Sequence, residues 1–260
     1  MSEIRWDPDA YLRYREERLR PGFELMDRIR ELVDGPIADL GCGTGEHALR
    51  LAQLWPGRDV LGLDRSASML EAARAHSGPV RFELGEIEHF APKPPPALIF
   101  SNAALQWLSG HEALIARFWG QLAPGGTLAL QMPSNLKSRA HALARDICLE
   151  RGWEQAAASM FRVNNVLEAS AYYNALQAVH AQAIDIWETT YQHALQTDGV
   201  TGWLSGTALR PVLSLLTPED QAEFMRDFDR RVRLAYPPQA DGVTLYPQSR
   251  IFILARKAAG

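Results

Sequence analysis

Ile37-Ala38-Asp39-Leu40-Gly41-Cys42-Gly43-Thr44-Gly45 is the stretch around which the chain is organised. Four residues of buried-strand character run into three glycines at alternate positions, and a helical pattern begins near Glu46. The strand must turn sharply there. Glycine permits both the tight turn and the approach of a ligand to bare backbone. The helix N-terminus beyond it offers unpaired N–H groups, which suit polar or anionic ligand atoms.

Downstream, Asp59-Val60-Leu61-Gly62-Leu63-Asp64 is a short apolar run ending in an acid, and the helical segment Ser66 to Arg74 has Ser66 in the N-cap position. Val80 to Leu84 supplies a third strand and Ala97 to Phe100 a fourth. The prolines from Pro92 to Pro96 force an extended loop between them. A helix over His111 to Gln121 and a strand over Thr127 to Met132 follow, joined by the turn Leu122 to Gly126. Strands alternating with helices specify a doubly wound, mainly parallel sheet.

Upstream, Asp7 to about Val33 reads as helix divided at Pro21. On its first segment Tyr11, Tyr14 and Arg18 share one face. That face is either a solvated basic surface packed through its tyrosines or a lid that offers phenol and guanidinium groups to a polar ligand.

Beyond Pro133 the regular alternation stops. Ser138 to Arg151 and Ala169 to Val179 read as helices, and Ile184 to Tyr191 alternates as a strand. A helical excursion covers Val200 to Tyr236, marked by Thr217 as N-cap, Pro218 in the first turn and an inward stripe of Met225, Phe228 and Val232. The last strand, Arg250 to Ala255, is expected to return antiparallel beside the one around Trp187. The expected fold is α/β: a Rossmann-like doubly wound sheet of about seven mainly parallel strands with a C-terminal antiparallel strand. It carries an N-terminal helical cover (1–33), a cofactor-binding core (34–133) and a helical cap with the last two strands (134–260), all in one domain.

Composition fits that picture. The 260 residues are 47% hydrophobic and 22% charged, ordinary globular values, and the net charge of −4 provides no field for nucleic acid. No stretch reaches the ~18 apolar residues of a membrane span, and the first residues carry no apolar signal core. A cytoplasmic protein without membrane or nucleic-acid partners is expected. Cys42 and Cys148 form neither a CxxC pair nor a disulfide framework, and Cys42 suits the glycine turn as a small packed residue.

A glycine turn after the first strand also serves nicotinamide and flavin domains, where the usual pattern is GxGxxG against a pyrophosphate. Here the third glycine comes one residue early and Asp39 precedes the turn. Asp64, at the end of the second strand, is placed to accept hydrogen bonds from ribose hydroxyls in either case. An anionic side chain beside a pyrophosphate repels it, whereas a ligand with an amino group gains from it.

The motif Asp39-Leu40-Gly41-Cys42-Gly43-Thr44-Gly45 resembles that of the class I S-adenosylmethionine-dependent methyltransferases. The resemblance implies S-adenosylmethionine as cofactor, held by Asp39, Gly41, Cys42, Gly43 and Gly45 at its amino-acid end and by Asp64, Arg65 and Met69 around the ribose turn. It further implies Glu86 and Ile87 beside the adenine and Asn102 near the methyl group. Glu86 stands where many members have Asp, and Thr44 stands where the members that esterify small polycarboxylic acids are expected to have a proline. No metal is implied.

At finer grain the likeness is to the members that esterify small polycarboxylic acids. It is carried by Tyr11-Leu12, Arg18 to Pro21, Asn102-Ala103, Leu105 to Leu108, Gln131-Met132-Pro133 with Asn135, Asp185 to Trp187, Thr189 to Tyr191, Leu209-Arg210-Pro211, and Arg250 with Phe252-Ile253. A carboxylate acceptor is already ionised at neutral pH, its pKa being near 4, so no general base is required. The enzyme must supply alignment, worth on the order of 7–11 kcal/mol in favourable cases, and dehydration of the attacking oxygen. Arginine forks are the best partners for the remaining carboxylates.

The acceptor set is therefore expected to be Tyr11, Tyr14, Arg18, Arg20, Asn135, Tyr173, Arg210 and Arg250, with Asn102, Gln106 and Trp107 as positioning residues and none as acid or base. His193 is read as a strand histidine before a site residue, and Arg226, Arg230, Arg231 and Arg233 as a solvated helix face.

Overall fold

In a computed structural model, residues 15–134, 138–162, 165–196 and 199–260 are described. The chain runs through α1 (Arg15–Met26), β1 (Ile37–Leu40), α2 (Glu46–Leu54), β2 (Val60–Asp64), α3 (Ala67–Arg74), β3 (Val80–Leu84), β4 (Leu98–Asn102), α4 (His111–Gln121) and β5 (Thr127–Pro133). It continues through α5 (Arg139–Glu150), α6 (Glu154–Arg162), α7 (Ala169–Ala178), β6 (Ala183–Leu195), α8 (Gly199–Ser205), α9 (Arg210–Leu213), α10 (Pro218–Ala235) and β7 (Thr244–Arg256). Two single turns of tighter helix, Ile87–His89 and Leu105–Trp107, follow β3 and β4.

The seven strands form one sheet in the order β3-β2-β1-β4-β5-β7-β6. The first five pair in parallel, with Ile37 opposite both Val60 and Leu98 and Asn102 opposite Gln131. The order reverses at β1, so the carboxyl ends of β1 and β4 flank the crevice in which open α/β sheets take ligands. The C-terminal strand is antiparallel, as its register shows. Thr190 bonds Ser249 and Trp187 stacks on Phe252, so residue numbers rise on one strand as they fall on the other.

The chain divides into two compact units. One, the sheet unit, comprises Arg15–Pro133, Val166–Glu188 and Ile251–Gly260; the other, the helical unit, draws on Ser134–Asn165 and Thr189–Arg250. In the sheet unit Ile99, Leu128, Leu130, Met132, Ile251 and Ile253 meet Leu114, Ile115 and Phe118 of α4 and Tyr172 and Leu176 of α7 in one core. Each such side chain contributes ~1.5–3 kcal/mol relative to exposure. In the helical unit Ala144, Ile147 and Cys148 of α5 pack with Trp203, Leu204, Phe224, Phe228 and Val232.

Two predicted caps form as expected. Ser66 Oγ accepts from the Met69 N–H at 3.4 Å, and Thr217 Oγ1 from the Asp220 N–H at 3.2 Å. Elsewhere the structure corrects the sequence reading. Pro21 lies inside α1 rather than dividing it, and the helix ends at Met26 instead of Val33. Burial of Leu19, Leu25 and Met26 on the sheet side outweighs the one backbone hydrogen bond that proline removes. The strands β6 and β7 are longer than expected, α6 was not anticipated, and Phe224 takes the inward place assigned to Met225. The expected helix from Asp7 to Tyr14 lies outside the described residues.

Candidate active site

The turn after β1 is built as its glycines demand. Gly41 adopts φ 77°, and a Cβ added there would lie 2.2 Å from Ala104 Cβ, so the loop after β4 closes directly over it. Gly43 adopts φ 54°, yet a Cβ there would meet nothing within 4 Å. The bare backbone at Gly43 therefore faces open space. Cys42 is buried beside Gly62, and burial pushes its thiol far above the usual range, so it serves as a neutral packing group.

Asp64 ties this turn to the next. One carboxylate oxygen accepts the Gly43 N–H at 2.9 Å and the other the Ser66 N–H at 2.8 Å. A carboxylate has about four acceptor positions, so two remain for a diol. Asp39 is in a different state. It is buried, accepts from the Ala48 N–H in the first turn of α2, and has one oxygen without a partner among the described residues. Burial first, then the charges of Asp64 and Glu46, push its carboxyl up to about 8. In the free protein at neutral pH this group is therefore largely protonated rather than the anion expected from sequence, and an incoming ammonium group favours its ionised form.

At the carboxyl ends of β4 and β5 three amide side chains gather. Asn102 and Gln131 are register partners, so their side chains leave the sheet on the same face. Between Asn102 and Gln106 the chain passes through Ala103, whose φ of 53° is strained for a residue with a Cβ. That conformation is held from both sides. The Ala103 N–H donates to the Gln131 carbonyl at 2.9 Å, and Gln106 Nε2 donates to the Ala103 carbonyl at 2.7 Å. Asn102 Oδ1, Gln106 Oε1 and both amide atoms of Gln131 are buried with no hydrogen-bond partner among the described residues. From the sequence Gln131 reads only as part of the Gln131-Met132-Pro133 motif. Its signal was there: a polar amide in a strand otherwise reading as a continuous apolar run.

Arg18 is buried on α1, which packs on β4 and β5. The Leu19 carbonyl lies 3.0 Å from His47 Nε2, and His47, whose ring lies 5.8 Å from that of Phe100, sits in the first turn of α2. Phe100 and Asn102 alternate onto one face of β4, so α1, which carries Arg18, packs on the amide face. Arg20 is exposed and paired with Glu24 at 2.7 Å. Trp107 is half-buried on the turn after β4, Ile87 and Met69 are buried, and Glu86 and Arg65 are exposed. Tyr173 is 49% exposed on α7, whose Tyr172 hydroxyl contacts Met132. Met132 and Gln131 point to opposite faces, so Tyr173 is not gathered with the amides. Tyr11, Tyr14 and Asn135 lie outside the described residues.

In the helical unit Arg250 is buried and its Nη2 donates to Gln248 Oε1 at 3.1 Å. Arg210 is half-buried at the start of α9. His193 is buried and stacked on Trp203 at 4.4 Å, the strand histidine expected. Ser138 bonds His141 Nδ1 at 2.8 Å and also engages Tyr236 and Tyr246; this polar group, with the His141 ring held down to about 4 by burial, was not anticipated. Arg231, read as solvated, instead joins α10 to α5 through Glu150 at 2.8 Å and also holds Asp227. Among the described residues no cluster of His, Cys, Asp or Glu could hold a metal ion.

A profile described as "Methyltransferase domain" matches residues 37–126. Proteins named trans-aconitate 2-methyltransferase from Methylobacterium radiotolerans and Methylobacterium nodulans are 40% and 41% identical to this chain over 258 and 257 residues. The alignments cover 98% and 97% of this chain and 99% and 98% of theirs. The chain belongs to the trans-aconitate 2-methyltransferase family. The small-acid likeness carried by the motifs from Tyr11 to Ile253 is thus a likeness to this family. The fold is shared more widely. Phosphoethanolamine N-methyltransferase 2 of Haemonchus contortus, solved in complex with S-adenosyl-L-methionine, superposes with a TM-score of 0.54 at 15% identity, over 92% of this chain and 52% of that one.

Proposed function

We propose that this protein transfers the methyl group of S-adenosylmethionine to a carboxylate of trans-aconitate or a closely related small polycarboxylic acid. The observation that carries this reading is the full-length likeness to proteins of that name at about two residues in five. The site is consistent with it. The open backbone at Gly43, the unpartnered Asp39 oxygen and the remaining acceptor positions of Asp64 fit a ligand with an ammonium group at one end and a ribose beyond it.

When bound, S-adenosylmethionine supplies a methyl group on a positively charged sulfur, which departs as a neutral thioether. We assign its binding to Asp39, Gly41, Cys42, Gly43, Gly45, Asp64, Arg65, Met69, Glu86, Ile87 and Asn102. This chain's residues have three further tasks. Arginines neutralise the carboxylates that do not react, for which Arg18, Arg20, Arg210 and Arg250 are assigned, with Tyr11, Tyr14 and Asn135 completing the set. Asn102, Gln106 and Trp107 align the acceptor, and burial around them removes water from the attacking oxygen. No side chain has to take a proton, because the acceptor is ionised before it binds.

We further propose a single methyltransferase domain acting in the cytoplasm, with residues 1–33 as helical cover, 34–133 as cofactor-binding core and 134–260 as helical cap with the last two strands, and with a small acid and no nucleic acid as partner. No helix among the described residues is long and apolar enough to cross a membrane. A panel of small acids and phenols with methyl-labelled cofactor tests the activity: label in trans-aconitate supports it, and label in phenols alone contradicts it.

A further inference from the structure

Gln131 carries more than its place in a motif. It is fully buried, and neither its amide nitrogen nor its amide oxygen has a partner among the described residues. Buried polar groups are almost always paired, because an unpaired one opposes folding. Gln131 stands directly across from Asn102, on the face against which α1 packs, and its own carbonyl pins the strained backbone at Ala103. The position is thus held rigidly from the backbone while the side chain is left unsatisfied.

The ligand chemistry follows from the atoms. A carboxylate only accepts hydrogen bonds, so amide nitrogens and not amide oxygens can meet it; Gln106 Nε2 already donates to the Ala103 carbonyl, while Gln131 Nε2 is a buried donor with no partner among the described residues. A neutral donor has a further merit at a nucleophile. A guanidinium on the reacting carboxylate draws charge away from the oxygen that must attack, while an amide fixes its direction at smaller cost.

We propose that Gln131 specifies the acceptor: its amide N–H donates to one oxygen of the carboxylate that is methylated and leaves the other oxygen to form the new bond. This rests on the functional reading above. The free oxygen's electron pair forms the O–C bond as the C–S bond breaks, the latter pair stays on sulfur, and no proton moves. Arginines then hold the spectator carboxylates and Gln131 the reacting one.

The test uses the full chain and Gln131→Met, which keeps the shape and removes both polar atoms. Three quantities are read: melting temperature without ligand, affinity for S-adenosylhomocysteine, and kcat/KM for trans-aconitate. The expected result is an unchanged or raised melting temperature, unchanged S-adenosylhomocysteine affinity, and a ~10- to 100-fold loss of kcat/KM, as for a hydrogen bond to a charged group. Wild-type kcat/KM in Gln131→Met overturns the assignment while leaving the functional reading intact. A lowered melting temperature with unchanged kinetics marks a structural amide and overturns it equally. If that variant does not fold, Gln131→Glu gives the same decision, with a larger loss expected from repulsion of the acceptor and wild-type kinetics contradicting it. A wild-type protein that binds S-adenosylhomocysteine but does not methylate trans-aconitate overturns the functional reading and, with it, this assignment.

Discussion

Asn102 and Gln131 face the same side of two adjacent parallel strands, and each has a buried amide oxygen without a hydrogen-bond partner among the described residues. They sit where β4 and β5 end, beside a backbone forced into a left-handed turn at Ala103. Unpaired amides and backbone strain both oppose folding, and here they coincide at the place proposed for the acceptor.

Ala103→Gly separates these effects. Glycine adopts φ 53° without penalty, so the free protein is expected to gain ~1 kcal/mol and melt ~2–4 °C higher. Methyl transfer is expected to fall, because the loop between Asn102 and Gln106 loses a constraint on its position. Thermal melting and steady-state kinetics of the same preparation check both; a lower melting temperature contradicts the strain.

Asp39 predicts a proton on the move. Its carboxyl is raised to about 8 in the fold, above the ~4 of an unfolded chain, so the folded state holds the proton between these values. This group's contribution therefore favours the fold at low pH and is lost as pH rises toward 8. An ammonium beside it favours ionisation, so S-adenosylhomocysteine is expected to bind more tightly as pH rises toward 8 and to release up to one proton near pH 7. Calorimetry in buffers of different ionisation heat reads that proton directly. Asp39→Asn should abolish the release, and a buffer-independent heat in the wild type contradicts the placement.

Asp64 has an observed structural role and a proposed binding role that can be measured apart. Its carboxylate accepts from Gly43 and Ser66, so Asp64→Ala is expected to cost about 1–3 kcal/mol of stability before any ligand is added. Its remaining acceptor positions are assigned to the ribose, so affinity for S-adenosylhomocysteine is expected to fall ~10-fold or more in protein that is still folded. A lower melting temperature with unchanged affinity leaves the carboxylate only its structural role.

Much of this was legible in the chain. Apolar runs ending at Leu40, Asp64 and Leu84, broken by helical spacing, dictate a parallel sheet, and Ser66 and Thr217 announce their helices because caps act locally. What was not legible depends on distant partners. Pro21 reads as a helix breaker until Leu19, Leu25 and Met26 are seen to be buried. Asp39 reads as an anion until its burial beside Asp64 and Glu46 is known. Gln131 reads as one polar residue in a strand, and only the register with Asn102 shows that its amide is left unsatisfied. The acceptor's arginines are legible as types, but Arg20 proves exposed and paired with Glu24, whereas Arg18 and Arg250 are buried.

Arg210, half-buried at the start of α9, is assigned to a spectator carboxylate. Arg210→Ala is expected to raise the acceptor's KM ~10-fold or more while kcat changes little, since the contact exists equally before and during transfer. Arg210→Lys keeps the charge but loses the fork and should fall between. An equal fall of kcat and kcat/KM in Arg210→Ala contradicts the assignment.

The most direct measurement is incubation of the purified protein with methyl-labelled S-adenosylmethionine and trans-aconitate, followed by mass analysis of the products. The account predicts a monomethyl ester of trans-aconitate formed in step with S-adenosylhomocysteine. Binding of S-adenosylhomocysteine with no ester from trans-aconitate or related polycarboxylic acids, or label appearing only in phenols, would contradict it.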